Sequence, residues 1–352
     1  MSHRSNCRAL AFVILASAIS IVQGCGTRQA APSKQAPAIA ALTPSAKPTP
    51  TGMPLGTHAP YAITAGLDGN LWFTEYQGDG IGRMSPYGAT KRFPIDPDGF
   101  AERINAGPDG AVWFTDPLGN RIGRVAPDGK IAYVNLPHSD SGPAGITAGT
   151  DGNLWFTEHS GNRIGRLSTT GTLTEIELPK GAGPAEIVGG SDGNLWFAED
   201  KANRIARVTA SGNVKEFAIL TPDSRPAMMV LGHDGNVWFT QPQARKIGSI
   251  TAGGYITEFE LPAAGVPLGI AAGADKNLWV TVINSHVIYR VSPKGVFTAI
   301  AMPQSSMATF ITAAPDGTLW FTEPNGKVGR LTTDGYVKEF VFSNPFSEHV
   351  GK

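Results

Sequence analysis

All seven tryptophans of this 352-residue chain occupy the same place in one repeated segment. They are Trp72, Trp113, Trp155, Trp196, Trp238, Trp279 and Trp320, at successive spacings of 41, 42, 41, 42, 41 and 41 residues. The segment is clearest in Asp151-Gly-Asn-Leu-Trp-Phe-Thr-Glu158, followed by Asn162-Arg-Ile-Gly-Arg166. A self-similar period of about 40 to 45 residues built from strand-like pieces marks a β-propeller, each repeat forming one blade. Seven copies predict an all-β, seven-bladed propeller with four antiparallel strands per blade. One domain suffices for so long a chain, because each repeat buries its face only against its neighbours.

The repeat at residues 143–179 shows how a blade is written. Pro143 to Gly149 reads as a first strand. Asp151-Gly152 supplies a tight turn, since glycine accepts positive φ and aspartate bonds its own backbone. Leu154 to Thr157, aromatic and β-branched, is the second strand. The third lies within Asn162 to Ser168. Leu173 to Leu178 alternates as a half-exposed fourth strand, and Pro179 ends it for want of a donor.

The repeats keep register. The residue after the blade-opening proline lies eleven positions before the tryptophan: Tyr61, Glu102, Ala144, Ala185, Ala227, Leu268 and Thr309. Ala101 and Ala308 replace that proline in blades 2 and 7. Eleven positions after the tryptophan stand Arg83, Arg124, Arg166, Arg207 and Arg290; blade 5 has Ser249 there, and the shorter blade 7 offers Arg330. The last repeat runs complete through Tyr336-Val-Lys-Glu-Phe-Val-Phe342, and nothing like its fourth strand precedes Pro60. Closure is therefore expected by packing of blade 7 on blade 1, without an exchanged strand.

Three residues after the tryptophan, five blades carry an acid: Glu75, Asp116, Glu158, Glu199 and Glu323. A ring of acids suggests a metal. The reading adopted is pairing across the ladder with the third-strand arginine. Blade 5 loses both partners, having Gln241 and Ser249, which fits. Blade 6 keeps Arg290 but has Val282, which does not.

Charge and processing bound the function. Charged residues are 16% of the chain and cancel to zero, so there is no basic excess to neutralise a phosphate backbone and no nucleic-acid partner is expected. Arg4 and Arg8 precede an apolar run, Ala9 to Val22, that ends in Val22-Gln-Gly-Cys25. This reads as a signal peptide over residues 1–24 that resembles the bacterial lipoprotein type, with Cys25 as the lipidated N-terminus. Cys7 would leave with the signal, so neither a disulfide nor a cysteine metal cluster is expected in the mature chain. Residues 25–57, rich in Ala, Pro and Thr, read as a tether. The propeller is expected over 58–343, with a tail at 344–352. The expected protein is an exported, lipid-anchored monomer of the bacterial cell envelope, touching the membrane through its anchor alone.

The functional residues should lie where the repeats disagree. First-strand starts and second-strand ends share one face and form a funnel around the central channel; the Asp-Gly turns lie on the other face. Blades 1 to 4 offer Tyr61, Glu102, Arg103, Asp116, Glu158, His159, Glu186 and Asp200 to this rim. Blades 5 to 7 offer Ala227, Met228, Leu268, Ile283, Thr309 and Phe310. A mouth polar on one side and apolar on the other suits an amphiphilic ligand or an envelope-protein partner. His159 is the one histidine placed towards the funnel, and with Glu186 it is the candidate for acid–base work. His58, His138, His233, His286 and His349 fall in loops, turns or the tail. The chain has no nucleophile elbow, no metalloprotease helix motif and no phosphate loop.

Asp-Gly-Asn-Leu-Trp-Phe-Thr-Glu, Asn-Arg-Ile-Gly-Arg and Ile256-Thr-Glu-Phe-Glu-Leu-Pro262 together resemble the virginiamycin B lyase (streptogramin lyase) family over residues 60–342. The resemblance implies a seven-bladed propeller. It also implies an enzyme that opens the ester of cyclic streptogramins by elimination, with a histidine base and magnesium held by acids. At the positions matching the enzymes' histidines in the last two blades stand Leu268 and Thr309, and at those matching the acids stand Met307 and Pro324. Magnesium is thus expected only if the chain is lyase-like after all. The reading reached is a propeller binding an amphiphilic ligand or partner at its funnel. The alternative is a lyase or hydrolase of a cyclic ester or lactone, its site moved to Glu102, His159 and Glu186. A third possibility is a scaffold that joins envelope proteins through its outer strands.

Overall fold

The computed structural model describes residues 59–76 and 80–342. The expected signal peptide, Cys25, the expected tether, His58, His349 and the expected tail lie outside them. The described residues form seven four-stranded antiparallel sheets, each in simple chain order. Blade 3 consists of Pro143–Ala148, Leu154–Glu158, Arg163–Leu167 and Leu173–Glu177. These are the four strands its sequence predicts. Blade 1 opens with Ala59–Ala65, and blade 7 supplies all four of its own strands from Ile311–Ala313 to Val337–Val341. Strand 1 of blade 1 packs against blade 7, so the ring closes through packing between complete blades.

Every part of the repeated segment has a structural duty. In blades 1 to 6 the aspartate of the turn accepts the indole N–H of its tryptophan, as Trp155 Nε1 donates to Asp151 Oδ1 at 3.2 Å; in blade 7 Thr318 Oγ1 accepts it. All seven tryptophans are at most 2% exposed. The glycine of Arg-Ile-Gly-Arg gives room to the phenylalanine across the ladder: a Cβ on Gly165 would sit 2.1 Å from the Phe156 ring. Blade 6 reverses the sizes, setting Tyr289 against Val280, and so conserves volume. Asn120, Asn162 and Asn203 hold φ between 52° and 59°, a left-handed conformation that asparagine tolerates. Asn162 then donates to Leu178 O and accepts from Gly183 N, tying its blade to the next.

The threonine of Trp-Phe-Thr was legible only as a strand former. In the structure it stitches the ring. Thr157 Oγ1 accepts Gly145 N–H of its own blade at 2.8 Å and donates to Ala185 O of the next at 2.5 Å. Thr74, Thr240 and Thr281 donate likewise to Glu102 O, Leu268 O and Thr309 O. Thr322 closes the circle by donating to Tyr61 O at 2.6 Å. The receiving carbonyls belong to residues that open first strands, so the stitch also holds the funnel mouth in place. Thr322→Val keeps the shape but strands that carbonyl and removes the acceptor of the Phe310 N–H. It should cost about 1–3 kcal/mol, seen as a lower melting temperature in calorimetry. An unchanged melting temperature would show that the stitch carries nothing.

The expected acid–arginine pairing is corrected. Trp155 stands opposite Arg166 in the ladder, so that arginine lies on the tryptophan face. Glu158, three residues from Trp155, points to the other face, because side chains alternate. Arg166 therefore stacks over Trp155 at 5.5 Å and reaches back to Asp151 at 2.8 Å. Arg124, Arg207 and Arg330 do the same with Asp109, Asp192 and Asp316. The acids take other partners: Glu158 pairs with Arg163, Asp116 with Arg121 and Glu75 with Arg92.

Candidate functional site at the funnel mouth

First strands line the central channel, a cavity of about 340 Å³ whose wall includes Ile63, Ile104, Ile146, Ile187, Ile270 and Ile311. Five blades close its mouth. Arg103 of blade 2 crosses to Glu186 of blade 4, with Nε 3.2 Å from Oε2. Phe310 of blade 7 lies 4.7 Å below the guanidinium carbon and Tyr61 of blade 1 lies 5.6 Å from it. The Tyr61 and Phe310 rings meet edge-on at 4.7 Å. Met228 of blade 5 completes the plug. The equivalent residues of blades 3 and 6 are Gly145 and Gly269, and a Cβ on either would strike the next blade's backbone carbonyl, Ala185 O or Thr309 O.

Outside this plug lies a smaller cavity of about 30 Å³, walled by Glu102, Arg103, Glu186, Asp200, Arg225 and Met228 among others. Arg103, Glu186 and Met228 belong to both cavities, so they form the partition. Along the rim, His159 Nε2 lies 3.1 Å from Asp200 Oδ1, and Asp200 Oδ2 lies 3.5 Å from Arg225 Nη1. Arg225 is held at φ 53°, where Gly142 and Gly183 precede the opening prolines of blades 3 and 4 at 55° and 61°. A bulky cation in a glycine's conformation costs of order 1–3 kcal/mol and is characteristic of functional positions.

Several buried polar groups here lack partners. Glu102 is 5% exposed and borders the smaller cavity. Burial pushes its pKa above the usual carboxylate range, with Arg103 opposing. Burial raises Glu186 as well, again against Arg103. Burial raises the Tyr61 hydroxyl's pKa, with the facing Arg103 opposing; Tyr61 Oη and Arg103 Nη1 turn to each other without full hydrogen-bond geometry. His159 Nδ1 is likewise buried and unpartnered.

The structure brings together Tyr61, Glu102, Arg103, Glu186, Met228 and Phe310 around the partition, and His159 with Asp200 beside it. Leu268 has no exposed surface and serves the core beneath the rim; its carbonyl takes the Thr240 stitch. Glu186, a candidate base, is tied to Arg103. Arg225 and Gln243 also border the cavity and were not foreseen. The signal for Arg225 was an arginine standing where two aligned blades place glycine.

Magnesium does not fit the matching positions. Leu268, Thr309, Met307 and Pro324 offer no carboxylate or imidazole. Among the described residues no group of three or more His, Cys, Asp or Glu could hold a metal ion.

The chain matches the model of the virginiamycin B lyase family over residues 16–236 and 179–352. It is similar to a solved streptogramin B lyase at 34% identity and a TM-score of 0.74, covering 80% of this chain and 94% of that one. Against a Staphylococcus aureus virginiamycin B lyase the identity is 38% and the TM-score 0.74, covering 78% and 95%. A catalytically inactive form of the Staphylococcus aureus enzyme, solved with quinupristin, matches at 37% and 0.73, covering 78% and 94%. The curated virginiamycin B lyase of Bordetella parapertussis is 48% identical over 46 residues, 13% of this chain and 15% of that relative's length.

Proposed function

This chain belongs to the virginiamycin B lyase family, and from that premise we propose that it is a ligand-binding member rather than a streptogramin lyase. Its funnel mouth binds an amphiphile. The polar part meets Glu102, Arg103, Glu186 and the His159–Asp200 pair; the apolar part meets Met228, Phe310 and the Tyr61 ring. The observation that carries this reading is the set of buried polar atoms at one mouth without a hydrogen bond of full geometry: Tyr61 Oη, Arg103 Nη1 and His159 Nδ1. Leaving such a group unmet costs about 1–3 kcal/mol each, and a bound molecule would recover it. The same proposal makes the protein an exported monomer, lipid-anchored in the cell envelope through Cys25, with the tether holding the funnel away from the membrane.

A thermal-shift screen of lactones, cyclic peptides and alkyl amphiphiles tests this, followed by calorimetric titration of the compounds that raise the melting temperature. Saturable one-to-one binding that His159→Ala or Glu102→Ala weakens is expected. Compounds that bind equally well to both variants would place the site elsewhere.

Without a base or metal acids at the matching positions, quinupristin should remain intact. Loss of a general base alone costs typically 100- to 10,000-fold. Incubation with magnesium should yield no linear product by mass spectrometry above an enzyme-free control. Saturable, magnesium-dependent opening would contradict the assignment.

A second reading rests on the His159–Asp200 contact at 3.1 Å. A carboxylate that orients an imidazole is the usual support for a general base. On this reading the chain is a lyase or hydrolase of a cyclic ester or lactone. Turnover of a lactone that His159→Ala abolishes, with binding retained, would favour it.

A further inference from the structure

We infer that Arg225 selects the charge of the ligand: it takes a carboxylate at the head of the amphiphile, and the chain behind that head enters the small mouth cavity. This rests on the funnel-binding reading and names the charge of its polar part. Arg225 borders the cavity, and its side chain is 40% exposed. Its Nη1 reaches Asp200 Oδ2 at 3.5 Å, the outer limit of a hydrogen bond. The other oxygen of that carboxylate lies closer to its own partner, with Oδ1 3.1 Å from His159 Nε2. A guanidinium is a planar fork of five donors, so one loose contact at Nη1 leaves another edge for a second carboxylate. Arg103 is buried and closes on Glu186 at 3.2 Å. Of the two arginines that border the cavity, Arg225 is the one an entering anion can reach.

The backbone argues the same way. At the register of residue 225, blades 3 and 4 have Gly142 and Gly183, with φ of 55° and 61°. Arginine at φ 53° carries a strain that glycine there would not. The loop does not need that side chain to hold it. Ser224, with no exposed surface, ties it to Asn203 through its N–H and its hydroxyl, both at 2.8 Å. A strained cation beside such an anchor is placed for what it meets from outside. The acids of the cavity are engaged elsewhere: Glu186 by Arg103 and Asp200 by His159, while burial favours the uncharged form of Glu102. Ala144, Ala185, Pro226, Ala227, Met228 and Pro242 make the rest of the wall apolar, so the head of the ligand is charged and the segment behind it is not.

Calorimetric titration of the full-length protein at neutral pH with hexanoate, hexanamide and hexylamine, three probes of one length, tests this. Hexanoate should bind at least about tenfold tighter than either other probe, the scale of a hydrogen bond between charged groups. Arg225→Gly supplies the residue that fits the backbone. It should raise the melting temperature by roughly 2–4 °C and abolish the advantage of hexanoate. Arg225→Lys keeps the charge without the fork and should retain a smaller preference for hexanoate. Hexanamide or hexylamine matching hexanoate in the wild type would overturn the inference, as would an advantage of hexanoate that survives in Arg225→Gly. A lower melting temperature for Arg225→Gly would overturn it too, since the arginine would then be bracing the loop. Failure of all three probes, with saturable binding of another ligand that His159→Ala weakens, would overturn the inference while sparing the funnel reading. Failure of every ligand would remove both.

Discussion

Arg103→Met should lower the unfolding free energy by about 3–5 kcal/mol, the usual cost of removing one partner from a buried ion pair. The arginine is the hub of the plug. It holds Glu186 at 3.2 Å and covers the faces of Phe310 and Tyr61. Its charge also opposes the burial of Glu102 and Glu186. Methionine can keep some of the ring packing, but it leaves two buried carboxyls without their cation. Removing Glu186 as well changes the balance. An apolar pair in place of a buried ion pair is often neutral or stabilising, so Arg103→Met/Glu186→Leu should regain most of the loss. Chemical denaturation of the two variants checks this. Equal stability of Arg103→Met and wild type would mean that the ion pair is not buried in solution.

The second large effect is a fall in stability as pH rises through neutrality. Burial pushes Glu158, Glu199 and Glu323 up to about 7, and the fourth-strand acids Glu175, Glu216 and Glu339 that face them push in the same direction. Each folded pKa lies above its unfolded value of 4.5. The folded state therefore binds protons more tightly than the unfolded chain. The stabilisation is complete below the unfolded value and disappears as pH rises through about 7. Each acid titrates together with the fourth-strand acid that faces it, so about 2 kcal/mol from the three groups is the expected scale. The turn aspartates Asp68, Asp109, Asp151 and Asp192 act oppositely. Their hydrogen bonds to Asn or backbone, Trp and Arg depress them despite burial, and that stability is lost in stronger acid. A melting temperature highest near about pH 5, falling by roughly 4–8 °C towards pH 8, should result. Glu158→Gln/Glu199→Gln/Glu323→Gln should flatten the alkaline side. A melting temperature that rises between pH 5 and 8 would contradict the sign.

Blade number, strand order and mouth were legible because they follow from local rules repeated seven times. A tryptophan every 41 or 42 residues, an Asp-Gly turn and an opening proline leave few alternatives. Pairings were less legible, because they depend on which face a side chain takes. The arginine eleven after each tryptophan looked like a partner for the acid; ladder register puts the two on opposite faces. The threonine's role was hidden because its partner belongs to another blade, 28 residues on, or 261 residues away for Thr322 and Tyr61. The mouth residues could be named from the places where repeats disagree. That Arg103 meets Glu186 across the axis, 83 residues apart, needed the ring itself. Leu268 was misleading because its strand position matches the rim while its side chain enters the core.

The central claim is that the polar groups at the funnel mouth bind a ligand and are not there only to hold the ring together. The Arg103→Met/Glu186→Leu double variant separates these roles. Its titration with the tightest-binding compound of the thermal-shift screen, beside wild type at equal concentration and after melting curves have shown both folded, is the most direct measurement. A melting temperature close to wild type, with binding weakened by at least about tenfold, is expected. Affinity for that compound within twofold of wild type, in a variant of undiminished stability, would contradict it.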